Sequence, residues 1–290
     1  MSANSKIEWT DATWNPIRAR NKATGNVGHF CVHVSPGCEN CYAERMQRRF
    51  GNPVRYVAQD QAKVDLFLDK KVLNEPLSWK KPRRVFVCSM TDLFGKWFDD
   101  LWLADIFARM IECPHHTFQV LTKRPERMRD WMDRQGQITL HARCVRGYLF
   151  EGSAWPPKNV WLGVSVEDQQ RVDERIPILL ATPAAVRFVS AEPLLGPIEF
   201  RFGWVPHGNL DREFPRLDWV IVGGESGPGA RPCDLAWIRH SVKQCKTAKV
   251  PCFVKQVGTD PISGNCRDGE LRLRDRRGGD PTEWPSDLRV

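Results

Sequence analysis

The chain reads as an α/β protein on a parallel sheet, wound as a (β/α) barrel or partial barrel. Two observations carry that reading. Short β-rich apolar runs recur at Val85-Phe86-Val87-Cys88, Phe118-Gln119-Val120-Leu121, Val160-Trp161-Leu162-Gly163-Val164, Val186-Arg187-Phe188-Val189, Trp219-Val220-Ile221-Val222 and Cys252-Phe253-Val254. Their starts lie 33, 42, 26, 33 and 33 residues apart, room for one helix between successive parallel strands. Polar residues also gather just after the runs: Ser89, Thr91 and Asp92; Thr122, Lys123 and Arg124; Ser165, Glu167 and Asp168; Ser190 and Glu192; Gly223, Gly224, Glu225 and Ser226; Lys255 and Gln256. In parallel α/β folds those carboxyl ends form the rim where ligands bind. Helix N-caps account for serines and threonines at such places. They do not account for Asp92, Lys123, Glu192, Glu225 and Lys255.

In chain order, a weaker first strand is expected from Ala12 to Ile17, then a polar surface excursion from Arg18 to Gly28. Three cysteines follow as Cys31-x6-Cys38-x2-Cys41, leading into a helix whose first turn begins at Tyr42. Further helices are expected at Leu101 to Glu112, Pro125 to Asp133, Asp168 to Ala181 and Leu235 to Ala248. Residues 134 to 159 and 200 to 217 read as longer insertions. One domain is expected over 1–258, followed by an irregular tail over 259–290 that lacks a core pattern.

The 290 residues carry a formal charge of +8, which makes nucleic acid a plausible partner by nonspecific attraction. The local basic clusters are Arg45, Arg48 and Arg49; Lys80, Lys81, Arg83 and Arg84; Lys123, Arg124, Arg127 and Arg129; and Arg272, Arg274, Arg276 and Arg277. Each is also what a solvated helix face looks like. No signal peptide and no membrane-spanning apolar stretch is evident, so a cytoplasmic protein with reduced thiols and no membrane partner is expected. Seven of the ten cysteines are scattered, several within apolar runs, and read as small core hydrophobes. Cys31, Cys38 and Cys41 read as metal ligands. Three thiolates suit zinc or an iron-sulfur cluster and leave one metal position open.

A cysteine triplet after a first strand and before a first helix resembles the cluster loop of the radical SAM superfamily, although the first gap is six residues where three is usual. More of the chain, Ile7-Glu8-Trp9-Thr10-Asp11-Ala12-Thr13-Trp14-Asn15-Pro16 and Ser35-Pro36-Gly37-Cys38-Glu39-Asn40-Cys41-Tyr42-Ala43-Glu44-Arg45, closely resembles the phage-associated three-Cys-motif family of uncharacterised proteins. Ser89-Met90-Thr91-Asp92-Leu93-Phe94-Gly95, Leu121-Thr122-Lys123-Arg124-Pro125, Gly163-Val164-Ser165-Val166-Glu167, Ser190-Ala191-Glu192-Pro193-Leu194 and Gly223-Gly224-Glu225-Ser226-Gly227 extend the likeness from residue 6 to about 258.

The resemblance implies a radical-SAM-type barrel, a [4Fe-4S] cluster on Cys31, Cys38 and Cys41, S-adenosylmethionine on the open iron, and a dedicated partner protein encoded nearby. The reductant and the reaction are not implied. By position, Ser89, Thr91 and Asp92 are candidates for the amino group of S-adenosylmethionine. Lys123 or Arg124 would meet its carboxylate or a substrate phosphate, and Glu192 its ribose hydroxyls. Gly223-Gly224-Glu225 resembles an amino-group motif of that superfamily but follows a late strand.

The leading functional expectation is a radical SAM enzyme that modifies or repairs nucleic acid or a nucleotide in a phage or mobile element. A second is a zinc-stapled nucleic-acid-binding protein, its site closed by His29, His33 or a distant cysteine. A third is a divalent-metal nuclease or glycosylase using Asp92, Glu192 and Glu225.

Overall fold

The computed structural model describes residues 5, 7–135, 155–202, 216–263, 271 and 273–289. Its strands are β1 (Ala12–Trp14), β2 (Ile17–Asn21), β3 (Val27–Gly28), β4 (Val64–Leu68), β5 (Arg84–Val87), β6 (Thr117–Thr122), β7 (Val160–Ser165), β8 (Val186–Ala191), β9 (Trp219–Gly223), β10 (Cys233–Asp234), β11 (Cys252–Gln256) and β12 (Pro261–Ile262). The α-helices are α1 (Tyr42–Arg49), α2 (Lys70–Leu73), α3 (Asp100–Ile111), α4 (Pro125–Asp130), α5 (Gln169–Ala181) and α6 (Leu235–Ala248). The fold is mixed α/β, with one seven-stranded sheet in the order β1-β5-β6-β7-β8-β9-β11. This is consistent with a partial α/β barrel. All six apolar runs are strands, and every expected helix is present to within a few residues. Most of the two expected insertions lies outside the described residues.

The chain divides into two compact units, the first comprising residues 1–162 and 182–185. Here β1, β5 and β6 run parallel, Ala12 opposite Val85 and Val85 opposite Phe118. Val85 and Val87 on β5 and Phe118 and Val120 on β6 are all buried, as a parallel sheet requires. Trp14 is fully buried, donates to Val72 O at 2.8 Å and packs on Phe118. Helix α3 starts where Asp99 caps the Leu101 amide at 2.8 Å, and it buries Leu103, Ala104, Ile106, Phe107 and Met110 along one face. Pro125 opens α4, a position where no amide hydrogen is needed.

The stretch expected as a polar excursion is instead built into a second sheet, antiparallel, in the order β3-β2-β4. Ile17, Ala19 and Asn21 point inward while Arg20 is exposed, the two-residue period of a half-buried strand. The chain leaves β1 after Trp14, so Ile17 belongs to this sheet and not to the first strand. Gly25, at φ 75°, closes the β2–β3 turn against Asn21 O.

The second unit comprises residues 163–181 and 186–290. Its strands β8, β9 and β11 are parallel, and Val220, Ile221 and Val222 of β9 are fully buried. Asp234 caps α6, and Lys249 ends it in the left-handed conformation. The tail holds more structure than its sequence suggests: β12 pairs parallel with β10, and Trp284 and Leu288 are buried. The Trp284 indole donates to Gly278 O at 2.9 Å, and Gly278 O also receives the Val257 amide at 2.9 Å.

A packed tail has a measurable cost when emptied. Leu288→Ala should lower stability by about 2–5 kcal/mol through lost burial and the cavity left behind. Urea unfolding checks this; an unchanged midpoint would mean that the tail contributes no core.

Candidate metal centre

The first unit fixes the turn that leaves β5. Cys88 adopts φ 56°, a left-handed conformation uncommon outside glycine, and its amide donates to Trp14 O at 2.8 Å. The Asn15 side chain accepts the Met90 amide at 3.0 Å and contacts Ser89 Oγ at 3.2 Å. The β5 turn is thereby tied to the end of β1.

The Cys31 segment is tied in turn to that turn. Thr91 Oγ1 donates to Phe30 O at 2.5 Å, and Arg124 Nη2 donates to Val32 O at 2.8 Å, so the carbonyls on both sides of Cys31 are held. Phe30 and Tyr56 are buried in one apolar cluster with Ala43 and Val54, with Cys31, Cys41, Met90 and Trp97 packed against it. The Tyr56 hydroxyl donates to Met90 O at 3.0 Å, and the Tyr42 hydroxyl to Ser89 O.

Asp92 is the hub. Its Oδ1 accepts from Thr122 Oγ1 at 2.7 Å and the Phe94 amide at 3.0 Å; Oδ2 accepts from the Lys123 amide at 2.9 Å and Arg124 Nη1 at 3.0 Å. Four donors fill the acceptor capacity of a carboxylate. Arg124 also lies over the Trp97 ring, 4.6 Å from its centroid. The Asp92 and Arg124 side chains are only 9% and 11% exposed, so each needs the other to offset desolvation.

Burial pushes the Cys31 thiol up to about 12, and the Asp92 carboxylate acts in the same direction; Arg124 and the Asp92 amide oppose them. Burial also raises Cys41, while the amides of Glu44 and Ala43 in the first turn of α1 pull it down. Cys41 acts on Cys31 and Cys38 acts on Cys41, so the three thiols share one electrostatic neighbourhood. Among the described residues no group of three or more His, Cys, Asp and Glu side chains is placed to hold a metal ion.

The two histidines of the zinc reading have other neighbours. His29 Nδ1 lies 3.0 Å from Ile17 O, and burial lowers its pKa to about 4. His33 Nε2 lies 3.0 Å from Glu44 Oε2. Glu44 is itself buried, bonded to Arg48 at 2.7 Å.

Thr91, Asp92 and Arg124 thus lie beside the Cys31 segment, while Ser89 Oγ meets Asn15 and the Lys123 amide meets Asp92. The hydrogen bonds of Thr91, Asp92 and Arg124 run to the protein itself and shape the cysteine loop. Arg127 likewise donates to Gly95 O, to Phe98 O at 3.0 Å and to Asp100 at 2.6 Å. Asn15, Tyr56 and Trp97 were not legible as site residues, because their partners lie tens of residues away with no spacing to mark them.

Glu192 belongs to the second unit, where it meets Lys255 Nζ at 2.9 Å and Ser190 Oγ at 3.3 Å. Gly223-Gly224-Glu225 has a structural explanation there. A Cβ on Gly224 would stand 2.4 Å from Val257 O, and Glu225 holds Arg231 through Nε at 2.9 Å and Nη2 at 2.7 Å. Of the scattered cysteines, Cys88, Cys113, Cys233 and Cys245 are buried and Cys252 partly so; Cys144 and Cys266 lie outside the described residues. No helix among the described residues is long and apolar enough to cross a membrane.

Fold and site together define a mixed α/β protein with a cysteine-bearing loop bonded to the turn at the end of a parallel strand. Residues 4–274 match the family described as a protein of unknown function, DUF5131, and the chain belongs to that family. No curated protein and no solved structure matches it.

Breaking the hub leaves a buried charge unpaired. Arg124→Ala should destabilise the chain by about 3–5 kcal/mol, and Arg124→Lys should recover only part, since an ammonium cannot reach Asp92 and Val32 O as a planar fork does. Thermal and denaturant unfolding of the two variants tests this; an Arg124→Ala protein of unchanged stability would show the pair to be incidental.

Proposed function

We propose that the chain is a radical-SAM-like enzyme whose Cys31, Cys38 and Cys41 hold a [4Fe-4S] cluster. The observation that carries the reading is the placement of Cys31 and Cys41 against one apolar cluster, with the Cys41 amide bonded to Cys38 O at 3.2 Å, on a loop bonded to the turn after β5. Burial raises both thiols on balance, and a metal that coordinates them would deprotonate them outright. A single zinc ion draws its sulfurs to about 2.3 Å from one centre, whereas in a cluster each thiolate takes a different iron and the sulfurs stand further apart. The cluster arrangement is preferred here because the resemblance supplies three cysteines and no fourth ligand.

Bound there, the cluster would supply an electron for reductive cleavage of the S-adenosylmethionine sulfonium. The chain's own part is to hold the loop: Thr91 and Arg124 fix the carbonyls beside Cys31, and Asp92 fixes Arg124. Ser89 and Lys123 are the side chains here proposed to meet S-adenosylmethionine or substrate phosphate. The radical SAM kinship, the barrel type and the phage or mobile-element setting rest on the motif resemblance. A nucleic acid or nucleotide substrate rests on the net charge of +8.

Anaerobic reconstitution should give a brown protein with iron and sulfide. Cys38→Ala should lose the iron, while Cys113→Ala, in a buried site remote in sequence, should keep it. Full iron retention by Cys38→Ala, or zinc without sulfide in the native protein, would overturn the assignment. With dithionite and S-adenosylmethionine, the loaded protein should form 5′-deoxyadenosine, measured by chromatography; none from a fully loaded protein would point to a structural or electron-transfer cluster.

A further inference from the structure

A run of basic residues such as Lys80, Lys81, Arg83 and Arg84 is usually one solvated face of a helix. Here residues 79–83 form neither helix nor strand. They cross the amino ends of the parallel strands: Arg83 O accepts the Thr117 amide of β6 at 2.9 Å, and Arg84 O accepts the Asp11 amide, just before β1, at 2.9 Å. Asp92 and Lys123 follow the carboxyl ends of β5 and β6, so this surface and the cysteine loop lie at opposite ends of those strands.

The four cations differ in their surroundings. Arg84 is engaged, its Nη2 lying 3.1 Å from Asp11 Oδ1. Lys80 and Lys81 are exposed, and among the described residues neither forms an ion pair. Arg83 is half-buried, with its guanidinium over the Trp79 ring, 5.2 Å from the centroid. Trp79 is fixed in turn: His115 Nε2 lies 3.1 Å from Trp79 O, and the ring of buried His116 stands 5.6 Å from the indole. The acids of the adjoining segments have other neighbours. Glu112 meets Arg109, and the charged groups around Glu75 include Asp69, Arg18 and Lys71.

We propose that Lys80, Lys81 and the Arg83–Trp79 stack form a docking surface for single-stranded nucleic acid. The two ammonium groups suit phosphates, and the stacked guanidinium adds a flat face on which a base can continue the stack, as bases do on arginine planes and aromatic rings. An acidic peptide would use the charge and leave the flat face idle. A bilayer surface is bound by the apolar face of an amphipathic helix, and this stretch is no helix. A duplex keeps its base faces stacked inside. The inference goes beyond the reading above, in which nucleic acid is a substrate at the cysteine loop: here a strand is gripped at the other end of β5 and β6, whatever the cysteines hold.

The probe is a fluorescent oligodeoxythymidylate, titrated by anisotropy against the full chain as purified at several salt concentrations. Three phosphate contacts predict a slope of log affinity on log salt of about −2 for a single strand. The Lys80→Ala, Lys81→Ala double variant should bind at least tenfold more weakly, with a slope of about −0.7 and an unchanged thermal midpoint. Arg83→Lys, which keeps the charge and loses the plane, should weaken binding at least threefold at an unchanged slope. Removing two exposed lysines elsewhere, as Lys243→Ala with Lys246→Ala, should leave binding as it was. No binding at low salt, equal binding by the Lys80, Lys81 variant or by Arg83→Lys, an equal loss in the Lys243, Lys246 variant, a preference for duplex, or full competition by polyglutamate of matched charge would each overturn the proposal. Cys38→Ala should bind as the native chain does; weakened binding there would place the contact at the cysteine loop and overturn it too. Absence of iron from the reconstituted protein bears on the enzymatic reading alone and leaves this titration unchanged.

Discussion

The buried pair of Asp92 and Arg124 is the constraint on which the first unit's site depends. A carboxylate and a guanidinium, each about a tenth exposed, can remain charged only if their remaining hydrogen-bonding positions are met. They are met by Thr122, by the amides of Phe94 and Lys123, and by Val32 O. Satisfying the pair therefore joins the turn after β5, the start of α4 and the Cys31 segment. The Trp97 ring covers the guanidinium and packs edge-on to Phe30, so the polar hub and the apolar cluster beneath the cysteines share a wall.

The parallel sheet was legible because strands buried on both faces must be continuous apolar runs, and Val85–Val87 or Val220–Val222 can be little else. The antiparallel sheet was not, because Arg18 and Arg20 make β2 look like a solvated loop until the inward Ile17, Ala19 and Asn21 are set beside β4. That the cysteine loop meets the polar residues after β5 and β6 was legible through position alone. The direction of their hydrogen bonds was not. Whether a carboxylate such as Asp92 faces a ligand or the protein depends on partners thirty residues away, and the sequence carries no record of that pairing.

The same distinction runs through the second unit. Gly223-Gly224-Glu225 looks like a ligand-binding motif in one dimension, yet Gly224 is required by the closeness of Val257 O and Glu225 is required by Arg231. Rim residues of a parallel sheet divide between those that build the loops and those left to meet a ligand. Here many of the charged ones build. Glu192 and Lys255 form a pair that is only partly covered, unlike the fully buried Glu167 with Arg175.

The carbonyls flanking Cys31 are bonded to Thr91 and Arg124, groups that owe nothing to a bound ion. Small metal domains of the zinc-finger kind fold only as the metal arrives. A loop held by its own protein bonds reverses that order: the polypeptide takes its shape first, and any metal centre of the kind proposed above would be added afterwards. The fold of this loop is then a property of the polypeptide alone, and stability and any metal occupancy become separable quantities.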